Sequence, residues 1–253
     1  MPDTLTHTQA MRYNRHIVLP QFDIDGQEKL LNARILLIGM GGLGNAVAQS
    51  LAAGGVGALT LIDDDKVEQH NLPRQILFTD ADCGQFKVDA ARSRLGALAP
   101  DCRITPLRAR LSDEALLEQA SQHDIIVDCT DNLASRRQIN QVSVQAGIPL
   151  ISGAAIRFEG QLFVSVPGDG KACYGCVEKR FHMAELSCNE AGILSPVVSM
   201  IGIAQAHLVM QCLSGFGTLP TGELQLFDGL NFQWQKFKVS PHPACDICNN
   251  TAE

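Results

Sequence analysis

Residues 34–65, RILLIGMGGLGNAVAQSLAAGGVGALTLIDDD, restrict the fold of this chain more than any other stretch. Residues 35–38 form a short apolar run of the kind that becomes a buried parallel strand. The glycine-rich sequence GMGGLG follows, and residues 45–53 then show helical periodicity. A second apolar run, residues 58–62, ends at Asp63. The pattern predicts a strand, a glycine-rich turn, a helix and a second parallel strand.

The glycine-rich turn predicts a binding site for a polyphosphate. Backbone N–H groups of such a turn and the N-terminus of the helix that follows point to one place, where they favour an anion. Asp63 lies 24 residues after Gly39, about where units of this kind place an acid against a ribose hydroxyl. The alternative is a tight turn that binds nothing. The stretch therefore indicates a nucleotide site but does not identify the nucleotide.

The first part of the chain alternates strands with helices. Residues 8–31 are predicted to be largely helical around a break at Pro20. Further helices are predicted over 87–98, 113–120 and 135–146, and strands over 104–107, 124–128 and 149–152. Ser112 is the expected N-cap of the helix that follows it. The alternation favours a Rossmann-like, doubly wound α/β sheet, whose ligands bind beyond the carboxyl ends of the strands, where Asp63 and Asp131 lie.

The second half of the chain changes character. Residues 160–166 and 224–228 predict antiparallel strands that continue the same sheet. Between them an apolar helix is expected from Pro196, with Ser195 as its N-cap and the proline at the first helical position. We therefore expect a single domain over residues 1–253, in which both halves share one sheet.

Composition and charge exclude several classes of function. The 253 residues carry a net charge of −7 without a run of Lys or Arg, which argues against a nucleic-acid partner. The longest apolar segment, residues 196–213, is interrupted by Gln205, His207 and Gln211, so we interpret it as a buried or interface helix and not a membrane span. The first dozen residues contain no apolar stretch that could be a secretory signal. We expect a soluble, cytoplasmic protein without membrane contact.

Two Cys-x-x-Cys pairs are separated by 68 residues. Four thiolates from two such turns make a closed tetrahedral site for structural Zn²⁺, and nine cysteines in a non-secreted chain favour metal or thiol chemistry over disulfides. The alternatives are a redox pair, which we would expect at the N-terminus of a helix, and unpaired cysteines. The spacers Tyr-Gly and Asp-Ile do not suggest such a helix. We predict that zinc joins the C-terminal tail to the body of the protein through Cys173, Cys176, Cys245 and Cys248.

Cationic side chains near the glycine-rich turn narrow the choice of nucleotide. Alone, each of Arg15, Asn71, Arg74 and Lys87 is most simply a solvated surface residue. Together, three cations could neutralise a triphosphate, which is more charge than a dinucleotide requires. The group therefore favours ATP. Asp131, at the end of a strand among small polar residues, suits coordination of Mg²⁺.

These elements together resemble the MoeB/ThiF family, bacterial relatives of the ubiquitin-activating enzymes. The matching sequences, in chain order, are RYNR (12–15), GMGGLG (39–44), DDD (63–65), NLPRQ (71–75), Lys87, CTDN (129–132), the two Cys-x-x-Cys pairs and CNEAG (188–192). They span almost the whole chain. SGAAIR (152–157) and EGQ (159–161) look more like the molybdopterin-synthase adenylyltransferases of this family than its thiamine-pathway members.

The resemblance implies adenylation of the C-terminal glycine of a ubiquitin-like sulfur carrier protein that ends in Gly-Gly. Residues from about 30 to 153 would bind Mg-ATP, and residues from about 154 to 253 would bind the carrier and zinc. Arg15, from the neighbouring subunit of a homodimer, would assist catalysis together with Arg74, Lys87 and Asp131. The implied nucleotide contacts are Gly42, Asp63, His70, Asn71, Leu72, Pro73, Arg74, Lys87, Asp131 and Asn132.

Two features depart from the family or leave a role open. Pro73 stands where the family usually has glutamine, so any contact made by that glutamine is lost. The sequence ends at Glu253 without a rhodanese-like domain, so we expect a separate sulfurtransferase or cysteine desulfurase to donate sulfur. Cys188 either forms a covalent link with the carrier, as a cysteine at this motif does in the thiamine pathway, or has no covalent role.

Three alternative functions remain at this point. The first is the same chemistry on the thiamine-pathway carrier. The second is an NAD-dependent oxidoreductase built on the same turn, which leaves Arg15, Arg74, Lys87 and Asp131 without a function. The third is a non-catalytic, zinc-containing module that binds the carrier without turning over ATP.

Overall fold

The described residues of this protein form one continuous sheet of eight strands. The computed structural model describes residues 5–181 and 192–248. The strands are β1 (Arg34–Ile38), β2 (Ala58–Ile62), β3 (Arg103–Leu107), β4 (Ile125–Asp128), β5 (Leu150–Ile156), β6 (Glu159–Ser165), β7 (Glu223–Asp228) and β8 (Gln233–Lys238). Their order across the sheet is β3-β2-β1-β4-β5-β6-β7-β8. The prediction of one shared sheet is confirmed.

Helices cover the sheet. In the described part of the chain they are α1 (His7–Arg12), α2 (Asn14–Ile17), α3 (Asp23–Asn32), α4 (Gly42–Ala53), α5 (Lys87–Leu98), α6 (Asp113–Ala120), α7 (Leu133–Ala146), α8 (Tyr174–Phe181) and α9 (Ser195–Ser214). The largely helical N-terminal segment is confirmed, and Pro20 falls between α2 and α3 as expected.

The parallel half agrees closely with the sequence. β3, β2, β1, β4 and β5 pair in parallel. β2 and β4 are wholly buried because helices cover both faces, whereas β3 lies at the edge of the sheet and is partly exposed. The predicted bounds of α5 and α6 are confirmed, and Ser112 caps α6 by accepting a hydrogen bond from Ala115 N.

The antiparallel half comprises β5 to β8 and contains two elements that the sequence analysis missed. β8 has the sequence QWQKFK, and all of its residues are exposed. Because neither face of this edge strand is buried, it carries no strong apolar alternation. α8 includes part of the first Cys-x-x-Cys pair, which we interpreted as a turn. Its buried residues Tyr174, Cys176 and Val177 pack into the apolar cluster around the Cys-x-x-Cys pairs.

α9 is the core helix and packs against α4, β5 and α3. Its length and composition would allow it to cross a membrane, but 56% of its most apolar 18-residue stretch is buried inside the protein. Ser195 does not cap it, which corrects our expectation: α9 begins at Ser195 and Leu194 occupies the N-cap position. Leu194 is held extended because its N–H donates to the Arg157 carbonyl oxygen at 2.9 Å.

Candidate nucleotide site and cysteine centre

A cavity of about 560 Å³ opens at the carboxyl edge of the parallel half. It lies over the ends of β1, β2 and β4, which are neighbours in the sheet, so the loops that follow these strands meet there. Most of the predicted nucleotide contacts line this cavity, namely Gly42, Asp63, His70, Asn71, Arg74, Lys87, Asp131 and Asn132. The structure therefore brings together residues that are up to 90 positions apart in the sequence.

Glycines determine the shape of the turn after β1. Gly39 has φ of +93°, and a Cβ there would lie 2.8 Å from the Cys129 carbonyl oxygen. A Cβ on Gly44 would collide with the Gly39 carbonyl oxygen. Gly41 differs, because a Cβ at this position would meet nothing within 4 Å. Gly41 is thus the point of the turn that a ligand can approach, next to the N-terminus of α4.

Asn45 holds this turn in place, and the sequence analysis did not identify it. Its side chain is fully buried. Nδ2 donates to the carbonyl oxygens of Met40 and Gly41, both at 3.0 Å, and Oδ1 accepts from Leu77 N at 3.0 Å. The last partner is 32 residues away, so no local pattern could have revealed the contact. Asn45 joins the glycine turn to the segment that carries the predicted phosphate contacts.

Asp63 follows β2 and faces the glycine turn. Oδ2 accepts a hydrogen bond from Met40 N at 2.6 Å, and Oδ1 accepts one from Asp65 N at 2.8 Å. Burial raises the pKa of Asp63, while Lys87 and these two N–H groups oppose the rise. The carboxylate therefore fastens β2 to the turn, in addition to the ribose contact that the sequence predicts.

Lys87 is a buried cation at the first position of α5. Its side chain is 7% exposed and its Nζ lies 2.7 Å from Asp65 Oδ2, whereas the Asp65 side chain is 68% exposed. Arg74 lies on the neighbouring segment, where Nη2 donates to Asn71 Oδ1 at 3.1 Å and Nη1 to the His70 carbonyl oxygen at 3.3 Å. Both cations line the cavity, so the arrangement favours an anionic ligand.

The loop after β4 contributes acidic and amide groups. Asp131 is exposed within the cavity lining. Asn132 caps α7 by accepting a hydrogen bond from Ser135 N at 2.9 Å. The carboxylates of residues 63–65 also lie within 4.8 Å of one another. The cavity thus contains a second acidic group to which the sequence analysis gave no metal role.

Three predicted site residues lie away from the cavity lining. Leu72 and Pro73 precede Arg74 in the chain, and Pro73 is exposed. Arg15 is exposed on α2, and the ring of Tyr13 packs against Gly55, just beyond the C-terminal end of α4. α4 begins at the glycine turn, and its twelve residues span about 18 Å. Because Tyr13 contacts the chain just after the C-terminal end of α4, Arg15 lies near that end and not near the glycine turn.

The two Cys-x-x-Cys pairs meet in a second centre, as predicted. The four Sγ atoms lie within 4.8 Å of one another, with 3.7 Å between Cys173 and Cys245 and 3.5 Å between Cys176 and Cys248. Zn–S bonds of about 2.3 Å in a tetrahedron place sulfur atoms about 3.8 Å apart, so the Sγ–Sγ distances fit a zinc ion bound by four thiolates. Cys188, the other cysteine with a predicted role, lies outside the described residues.

The surroundings of the centre correct one expectation. Cys173 directly precedes α8 and Cys176 lies within it, so the Tyr-Gly spacer does begin a helix. Burial raises the pKa of Cys173, so a nearby cation would favour its thiolate form. Asn140 Nδ2 donates to Cys173 Sγ at 3.6 Å and His242 N to Cys176 Sγ at 3.2 Å, as hydrogen-bond donors around metal-bound sulfurs do. The convergence of four thiols favours metal over a redox pair.

Comparisons with known proteins agree with this geometry. The model of the ThiF family matches residues 13–247. The molybdopterin-synthase adenylyltransferase of Escherichia coli (strain K12) is 43% identical over 244 residues, which cover 96% of this chain and 98% of that protein. The sulfur carrier protein ThiS adenylyltransferase of the same strain is 43% identical over 241 residues, which cover 95% and 96%.

A longer relative and a solved structure extend the comparison. An adenylyltransferase and sulfurtransferase, MOCS3 of Drosophila grimshawi, is 37% identical over 252 residues, which cover 97% of this chain and 56% of that protein. A crystal structure of E. coli MccB with MccA-N7isoASN matches with a TM-score of 0.82 at 23% identity, covering 94% of this chain and 74% of that one. At this identity the structural match supports the fold alone.

Proposed function

This chain belongs to the ThiF family, and we propose that it is an adenylyltransferase that activates the C-terminal carboxylate of a ubiquitin-like sulfur carrier protein. The observation that carries the proposal is the cavity, whose lining contains the open position Gly41, the cations Arg74 and Lys87, and Asp131. Relatives with adenylyltransferase names match over nearly their whole length, which supports the same activity here.

The proposed reaction needs charge stabilisation more than proton transfer. The carrier's α-carboxyl group has a pKa of about 3.3–3.7, so it is ionised at pH 7 and attacks the α-phosphorus of ATP without a general base. An acyl–phosphate bond forms, the bond to the β-phosphate oxygen breaks, and pyrophosphate leaves. Lys87 and Arg74 offset the repulsion between the two anions, and the backbone at Gly41 and Gly42 holds the phosphates.

Cations and a second subunit complete the proposed site. Mg²⁺ held by Asp131 would neutralise phosphate charge, and Asp63 would hold the ribose. Arg15 would enter from the partner of a homodimer, since it lies at the far end of α4 from the cavity of its own chain. The nearby exposed side chains of Val18 and Leu19, which are 62% and 51% exposed, support burial of this face against a second subunit.

Zinc is proposed for the centre formed by Cys173, Cys176, Cys245 and Cys248, where it would be structural because four thiolates leave no open position. The molybdopterin pathway is the first choice, since residues 152–161 favour that branch although the two E. coli relatives are equally similar. The sulfur donor is proposed to be a separate protein, and the setting cytoplasmic.

ATP–pyrophosphate exchange tests the proposal and the pathway together. Purified enzyme is assayed with a molybdopterin-pathway carrier, a thiamine-pathway carrier, and each carrier without its terminal Gly-Gly. We expect exchange with the first carrier only, and only with its intact tail. Exchange with the thiamine-pathway carrier alone would reassign the pathway. If the enzyme binds ATP but shows no exchange with any carrier, the non-catalytic binding module is favoured.

A further inference from the structure

Arg136 is a buried cation beside the cavity to which the sequence analysis gave no role. It lies on α7, one helical turn after the N-cap residue Asn132, and is 8% exposed. It also lines the cavity. Burying a charged guanidinium costs folding free energy unless the group is paired and hydrogen-bonded. The contacts of Arg136 therefore indicate its role.

The contacts of Arg136 converge on the loop that carries Asp131. Nη2 donates to the Thr130 carbonyl oxygen at 2.6 Å. From the other side, Asp128 Oδ1 accepts hydrogen bonds from Thr130 N at 3.0 Å and from Thr130 Oγ1 at 2.7 Å. Asp128 is in turn held by Ser152, whose Oγ donates to Oδ2 at 2.8 Å. Both backbone polar groups of Thr130 are therefore fixed by charged side chains.

The charge on Arg136 is retained despite burial. Burial opposes the charge most strongly, but Asp128, Tyr174 and Asp131 together outweigh it, so the pKa of Arg136 is raised. The Tyr174 hydroxyl also favours the charge; it and Arg136 Nε are buried, and neither makes a hydrogen bond of ordinary geometry with the described residues. Arg136 is thus held by electrostatics and by a single strong hydrogen bond to the loop, which is charge-assisted.

Asp131 itself is exposed, whereas Asp128 and Arg136, which hold the loop, are buried. Its direction depends on the peptide group between Thr130 and Asp131, whose carbonyl oxygen is the acceptor of Arg136. Rotation of this peptide would change the direction of the Asp131 side chain within the cavity lining, at the cost of the hydrogen bond to Arg136. A carboxylate that binds a cation needs this kind of support from the residues behind it.

We infer that Arg136 is a positioning residue that holds the Thr130–Asp131 peptide so that Asp131 binds the cation of a metal–triphosphate complex. The inference rests on the proposed function, because it assumes that the cavity takes Mg-ATP. It adds a residue that acts through Asp131 and does not itself take part in bond formation.

The test measures how much Mg²⁺ strengthens nucleotide binding. The Kd of α,β-methylene-ATP is determined by calorimetry with excess Mg²⁺ and with EDTA, for wild type, Arg136→Lys and Arg136→Met. Arg137→Lys is the matched control, because Arg137 is the next residue on α7 but pairs with Glu178 on α8, away from the loop. Thermal unfolding and circular dichroism establish that each variant is folded.

We expect the gain in affinity from Mg²⁺ to fall by about 10- to 100-fold in Arg136→Met, and by less in Arg136→Lys, while the Kd in EDTA changes little. Arg137→Lys should retain the full gain. If Mg²⁺ strengthens binding as much in folded Arg136→Met as in wild type, or if both Kd values worsen by the same factor, the positioning role is wrong. If wild type binds no nucleotide, or gains nothing from Mg²⁺, the proposed function itself fails. Should Arg136→Met not fold, the same outcomes are read from Arg136→Lys.

Discussion

The two halves of the sheet reach an ordered structure by different means. In the parallel half, β1, β2 and β4 are buried between helices, and the large apolar cluster around α4 and α9 needs no cross-link. In the antiparallel half β8 is exposed along its whole length, and a smaller apolar cluster surrounds the four cysteines. These cysteines join segments that are 72 residues apart in the chain.

The difference indicates a separation of two proposed tasks: nucleotide binding in the parallel half, and attachment of the C-terminal segment in the antiparallel half. Parallel strands direct their loops to one edge, so the residues proposed to bind nucleotide collect there by topology alone. In the antiparallel half the turns after β5 and β7 are short, whereas the connection between β6 and β7 is long and carries α8 and α9. The described residues after β8 add no further strand to the sheet, so we expect their position to depend on the cysteine centre. α7 contacts both regions, because Asn132 lines the cavity and Asn140 contacts Cys173 and Tyr174. The following predictions test this separation, in order of expected effect.

Loss of the proposed zinc ion should destabilise the protein most. Removing the ion with a chelator, or replacing a ligand in Cys245→Ser, should lower the free energy of unfolding by about 4 kcal/mol at an ion concentration about 1,000 times its Kd. The quantity to measure is the melting temperature with and without chelator. Cys83→Ser is the control, since Cys83 is exposed and lies outside the centre. A chelated enzyme that melts at the original temperature would refute the structural role.

Substitution of Lys87 should have the largest effect on activity. Lys87→Met should reduce exchange by about 10²- to 10³-fold, the loss typical of one preorganised group at a reacting centre. The melting temperature should change little, because the partner Asp65 is largely exposed and is not left as a buried unpaired charge. Lys66→Met, at a nearby exposed cation, is the control. Normal exchange in Lys87→Met would remove Lys87 from the site.

A substitution at the junction of the halves should have an intermediate effect. Ser152 lies on β5, which pairs with both halves, and donates to buried Asp128. Ser152→Ala should cost about 2 kcal/mol in urea unfolding, because the lost hydrogen bond has a charged acceptor. Ser214→Ala, which loses a bond to the neutral Gly26 carbonyl oxygen, should cost about 1 kcal/mol. Equal losses would show that the Asp128 network adds nothing at the junction.

The smallest effect should be a pH dependence in the parallel half. His123 bridges the Gln119 carbonyl oxygen and Thr60 Oγ1, and burial lowers its pKa below the usual value of about 6.5. The unfolded chain therefore binds the proton more tightly, so this stability is present above about pH 6.5 and is lost as the pH falls through the folded pKa. In His123→Gln, the midpoint of urea unfolding should depend less on pH between about pH 7 and about pH 5 than in wild type. An unchanged slope would assign the effect to other groups.

The sequence predicts the parallel half well because its signals are local. The turn after β1, the apolar strands and the cap at Ser112 each depend on residues close in the chain. β8 was missed because an exposed edge strand carries no buried face, and α8 because Cys173 to Cys176 was interpreted as a turn. Asn45 and Arg136 could not be identified, since their roles depend on Leu77, far away in sequence, and on the conformation of the loop at Thr130.

ATP–pyrophosphate exchange on three samples tests the separation of tasks most directly. The samples are wild type, Lys87→Met and metal-depleted wild type, all with the same Gly-Gly carrier and at a temperature where each is folded. The account predicts that metal-depleted enzyme retains exchange and that Lys87→Met loses it. Exchange that disappears on metal depletion from folded enzyme, or persists in Lys87→Met, would contradict the assignment of the chemistry to the parallel half.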